Sequence, residues 1–89
     1  MGKRKKADIL VRMRGIVTPS DWDEQNQVTA ITLATVDEQE YRIHQDNKGK
    51  QLLRMLRREV EVCGVVGTDG AGNRMVRVMT YDVRGLAGG

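Results

Sequence analysis

The chain has 89 residues, formal net charge +3, a single cysteine, no phenylalanine, one tryptophan and two tyrosines. That length gives one small domain with an aliphatic core, and one cysteine excludes an internal disulfide and a four-cysteine zinc site. No apolar run approaches the ~20 residues of a membrane span, and the start lacks the apolar stretch of a signal peptide, so a cytoplasmic protein without a membrane partner is expected.

Residues 3–6 read Lys-Arg-Lys-Lys, and from residue 7 onward eleven basic residues face twelve acidic ones. The basicity therefore sits in a segment, 1–8, that reads as a flexible tail, and the body is nearly neutral. Residues 9–18, ILVRMRGIVT, alternate, with Val11, Met13, Gly15 and Val17 on one face and Arg12, Arg14 and Ile16 on the other. Period two predicts a half-buried strand, ended by Pro19 and Ser20. SDWDEQN reads as a polar loop. A second strand follows at 27–36, where Val28 and then Ile31 and Leu33 change parity once, which predicts a bulge near Thr29 or Ala30. DEQ turns the chain, and 40–45, EYRIHQ, gives a third strand with Tyr41 and Ile43 inward and Arg42 and His44 outward.

The period then changes. Leu52, Leu53, Met55 and Leu56 recur at helical spacing, which predicts one helix over 48–57 capped by Asp46 or Asn47, with Gly49 delaying its start. Strands at 59–67 and 74–82 flank TDGAGN, a hairpin loop with Gly70 and Gly72 available for positive φ, and 83–89 reads as a loose tail. The predicted core is Val11, Met13, Val17, Ile31, Leu33, Ile43, Leu52, Leu56, Val60, Val62, Val76 and Val78.

The order β-β-β-α-β-β, together with RGIV, NKGKQLLRML and VEVCGVV, resembles the OB-fold family over residues 9–82, and the chain is similar to short stand-alone OB-like proteins of bacteria. An SH3-like barrel is the alternative architecture. The resemblance implies a mainly β, five-stranded Greek-key barrel, with the helix plugging one end and strand three pairing with strand five. Gly15 and Gly64 would stand where barrel strands bend.

The resemblance also implies a binding module, most often for single-stranded nucleic acid, DNA or RNA. Its ligand face would carry Arg12, Arg14, Arg42 and His44, with Trp22 the one stacking platform and Lys3, Arg4, Lys5 and Lys6 adding contacts from the tail. Three phosphate contacts to a single strand imply a slope of log K against log salt of about −2. Lys50, Arg54 and Arg58 line one helix face as a second basic surface for phosphate or an acidic protein. Glu40, Glu59 and Glu61 stand ready as cross-strand partners for the arginines. If they neutralise them, a module docking on a protein through an exposed barrel edge, without nucleic acid, is the better reading.

No catalytic motif is present. Cys63 and His44 fall on strands not expected to be neighbours, and Asp21, Asp23 and Glu24 lack the spacing of a calcium loop. No cofactor, metal or enzymatic activity is expected.

Overall fold

The ring of strands is set by how β1 divides its two edges. The computed structural model describes residues 10–86, with side chains to residue 84. It contains β1 (Leu10–Trp22), β2 (Val28–Thr35), β3 (Glu40–Ile43), α1 (Asn47–Gln51), a 3-10 turn (Leu52–Met55), β4 (Arg58–Thr68) and β5 (Arg74–Leu86). The strands follow one another as β1-β2-β3-β5-β4, and β4 returns to β1. The fold is thus mainly β, a five-stranded sheet in a ring with one short helix. Leu10–Ile16 pair with β4, and Gly15–Trp22 pair with β2. Gly15 lies opposite both Thr35 and Val60. A Cβ there would stand 2.8 Å from the Ala34 carbonyl carbon and 2.9 Å from Thr35 Cα, so Gly15 is required because the β2 backbone closes on it. Gly64 sits at a register shift and meets the backbone of Arg77 in the same way. All neighbouring strands are antiparallel except β3 and β5, which are parallel.

The parity change in β2 has the predicted cause. Ala30 lies opposite Asp21 and Val28 opposite Trp22, so Thr29 is the extra residue. Ser20 is skipped in the same way on β1. The polar reading of SDW was wrong in extent, because β1 continues to Trp22. Pro19 is tolerated there because pairing with β4 ends at Ile16, leaving that side of the strand with no donor to supply. β3 ends at Ile43 instead of residue 45, although the His44 N–H still donates to Val76 O at 2.9 Å. β5 runs to Leu86, four residues past its expected end.

Val17, Ile31, Leu33, Ile43, Leu52, Val60, Val62, Val76 and Val78 form the buried core. Val11, Met13 and Leu56, also predicted there, are only half-buried. For Leu56 the reason is the helix. The single helix predicted over 48–57 is a five-residue α1 that tightens into the 3-10 turn and ends at Met55. Asp46 caps it by accepting the Gly49 N–H at 2.9 Å. Gly49 does not delay the start; it is buried inside α1, against the His44 carbonyl. Leu52 is therefore the residue of this segment that enters the core, with Leu53, Met55 and Leu56 partly buried against that core.

Three hairpins share one loop geometry. In each, the first residue (Asp23, Thr35, Asp69) donates its N–H to the carbonyl four residues on, at 2.9 Å. Its carbonyl accepts the N–H three residues on, at 3.0 Å. Its side-chain oxygen also accepts the N–H four residues on, at 2.9, 3.1 and 2.9 Å. The fourth residue is left-handed in each: Asn26, Glu38 and Gly72 have φ 66°, 66° and 89°. Gly70, predicted to supply positive φ, does not.

Candidate functional site

The arginines of the predicted ligand face all reach carboxylates. Arg12 Nε stands 3.9 Å from Glu61 Oε2, and Arg14 Nε 3.5 Å from Glu59 Oε2. Both pairs run diagonally across the β1–β4 ladder, where Arg14 faces Glu61 and Arg12 faces Cys63. Glu61 also takes Arg84 Nη2 at 3.5 Å. Arg42 Nη2 hydrogen-bonds Asp21 Oδ2 at 3.2 Å, and its Nε stands 4.0 Å from Asp69 Oδ2. Exposed pairs of this kind stabilise by about 0–1 kcal/mol each, so their main effect is to occupy the guanidinium groups.

Nor do the three arginines form one patch. Arg42 faces Thr32, which faces Thr18, four residues along β1 from Arg14. Strand rise and spacing then separate Arg14 from Arg42 by about 16 Å. Arg42 instead bridges the end of β1 to the β4–β5 loop. Trp22, beside Asp21, is 55% exposed at that same end. His44 stands apart, in a cavity of about 370 Å³ with Val65, Val66, Gly67, Met75 and Arg77. Lys3, Arg4, Lys5 and Lys6, and the tail that carries them, lie outside the described residues.

Asp69 organises the β4–β5 loop. Hydrogen bonds from the Asn73 backbone and side chain, then from Ala71, with the Arg42 charge nearby, hold its carboxyl below the ordinary value. Asp23 plays the same structural part in the β1–β2 loop, accepting from Gln25 and Gln27. Arg74 lies over the Tyr41 ring, 5.9 Å from its centroid.

The sequence raises an exposed barrel edge as a docking surface but does not locate it. Leu10–Arg14 pair with β4 on one side, but β2 joins the other side of β1 only from Gly15. Among the described residues this stretch has an open edge. Beside it lies a cavity of about 380 Å³ lined by Val11, Met13, Thr35, Val36, Asp37 and Tyr41, with Arg12 and Arg14 at its rim. Val36 is 80% exposed. The signal is the apolar-alternating start of β1, whose Val11 and Met13 are expected in the core from sequence but are only half-buried.

The second basic surface is divided. Lys50 and Arg54 share a cavity with Asn47, Gln51, Met55 and Tyr81. Arg58 does not join them, because the chain turns at Arg57 (φ 65°) and Arg58 opens β4. Half-buried Cys63 lines a small recess with Arg12, Glu61, Thr80 and Asp82, and His44 is not in it. Among the described residues no three His, Cys, Asp or Glu side chains are grouped to hold a metal ion. Among the described residues no helix is long and apolar enough to cross a membrane. Comparison of the chain with protein-family models, with curated proteins and with solved structures finds no match.

Proposed function

We propose that this chain is an OB-fold barrel serving as a non-catalytic binding module, and that it docks an extended protein segment along the open edge of β1. The OB-fold reading is supported by the division of β1 between β2 and β4, by the parallel β3–β5 pairing that completes the ring, and by a helix placed between β3 and β4. The docking reading is carried by one observation. Leu10–Arg14 offer backbone groups unpaired among the described residues, next to a cavity whose apolar lining is Val11, Met13, Val36 and Tyr41. A strand added there gains main-chain hydrogen bonds along the edge and sets alternate side chains into the cavity. The pairing of Arg12, Arg14 and Arg42 with carboxylates favours this over a nucleic-acid face on strands one to three. The single cysteine fits a reducing, cytoplasmic setting.

The test is selection from a library of extended octapeptides, followed by backbone NMR of the enriched sequences. Enriched peptides should carry apolar residues at every second position and shift the amides of 10–14, Val36 and Asp37. Selection without that pattern, or shifts confined elsewhere, removes the proposal. Single-stranded nucleic acid is the second reading, favoured by exposed Trp22 beside the Asp21–Arg42 pair. On that reading, oligothymidylate or oligouridylate at low salt shifts Trp22 and Arg42, and phosphate displaces Asp21 from the guanidinium.

A further inference from the structure

The cations fall into two populations. Arg12, Arg14, Arg42 and Arg84 each have a carboxylate within 4.0 Å. Lys48, Lys50, Arg54, Arg57, Arg58, Arg74 and Arg77 have none among the described residues, and of these Lys50, in α1, and Arg54, in the 3-10 turn, line one cavity that contains no carboxylate. Two unpaired like charges held together are unfavourable in themselves, and an anion between them reverses the sign.

The concavity they line has a volume of about 470 Å³, within the range of small-ligand sites. Its remaining lining is Asn47, Gln51, Met55 and Tyr81, with no carboxylate. The Tyr81 hydroxyl donates to Gln51 Oε1 at 3.0 Å. That bond fixes which end of the amide is occupied and leaves both hydrogens of Gln51 Nε2 without a partner among the described residues. Asn47 offers a further amide. The site thus combines an ammonium, a guanidinium and two amide donors with an apolar wall of Met55 and the Tyr81 ring. Phosphate oxygens match the donors, and the wall suits an organic group attached to the phosphate.

We propose that this cavity between α1, the 3-10 turn and β5 binds a phosphate ester, with Lys50 and Arg54 holding the phosphate and Tyr81-anchored Gln51 donating to it. The phosphate comes either from a free mononucleotide or from the backbone of a strand. The site is separate from the β1 edge and stands or falls independently of it.

The test uses the full chain and NMR titration with adenosine 5′-monophosphate, adenosine, inorganic phosphate and hexathymidylate. The monophosphate should shift the amides of 47–55 and Tyr81 saturably, and adenosine should not. Lys50→Gln and Arg54→Gln should each weaken binding about tenfold, the size of one charge-assisted contact. Gln51→Glu keeps an acceptor for Tyr81 but places a carboxylate in the cavity, and it should abolish binding. If hexathymidylate shifts the same residues and the monophosphate does not, the phosphate belongs to a strand, provided the two cation variants suppress the shifts. Equal shifts with adenosine and its monophosphate, unchanged affinity in Gln51→Glu, or no saturable shift with any probe overturns the proposal.

Discussion

Gly49→Ala separates helix propensity from tertiary packing, because the two predict opposite signs. In an isolated helix alanine is favoured over glycine by about 1 kcal/mol. Here the added methyl would fall on the His44 carbonyl oxygen, 3.0 Å from its carbon and 3.3 Å from Ile43 Cγ2. The obstacle is backbone at the exit of β3, so no rotamer change relieves it. Either α1 and β3 strain apart, at the ~1–3 kcal/mol of an overpacked core, or α1 lifts and withdraws Leu52 from complete burial. The second route approaches the ~2–5 kcal/mol of a core leucine truncation. Setting the propensity gain against the second route gives a net destabilisation of about 1–4 kcal/mol. Urea unfolding followed by far-ultraviolet circular dichroism measures it. With m of about 1 kcal/mol/M for a small domain, the midpoint should fall by about 1 M or more. Lys50→Ala, at an exposed position of the same helix, should stay within about 0.5 kcal/mol of the parent. A Gly49→Ala midpoint equal to or above the parent's would refute the docking of α1 on the β3 exit.

Three further outcomes are expected. Glu38→Gly should stabilise by about 0.5–1 kcal/mol, read as a raised midpoint, because a left-handed glutamate is strained and glycine is not. Ser20→Ala should stabilise by about 1 kcal/mol in the same assay, since the Ser20 Oγ is buried at the β1 bulge without a partner among the described residues. Asp69 has a depressed folded-state pKa, so its contribution is present above its unfolded value near 3.8 and is lost as pH falls through the lower folded value. Asp69→Asn should therefore flatten the fall of the thermal midpoint below pH 4 and speed amide exchange at Ala71 and Asn73; an unchanged acid limb would contradict the loop assignment.

Element order was legible because each element announces its own period. Val11 to Val17 alternate, Leu52 to Leu56 do not, and the skipped Thr29 betrays itself as a single change of parity. The helix boundaries were not legible, because Gly49 looks like a weak helix former when only its neighbours in sequence are considered. Its reason for being there is the His44 carbonyl, which the chain brings alongside only after folding. The candidate site suffered from the same limit. Arg12, Arg14 and Arg42 share an outward parity, but parity says nothing of distance across a ring or of which carboxylate waits on the next strand. The open edge of β1 depends on where β2 starts to pair, and that offset is a property of the ladder, not of either strand alone.

The ring is uneven in how it is sewn. Its antiparallel ladders are long or closed by tight loops, whereas the β3–β5 ladder contains only Arg42 opposite Met75 and Ile43 opposite Val76. Opening there breaks the fewest main-chain bonds and leaves three hairpin-linked strands and one two-stranded ribbon still joined through β1 and β4. Amide exchange should register this as a unit of lower opening energy confined to β3, α1 and the facing stretch of β5, well before global unfolding. The opened form would present Ile43, Val76 and Leu52 together, so α1 acts as a clasp whose hold on that seam sets how often the chain exposes its core to other copies of itself.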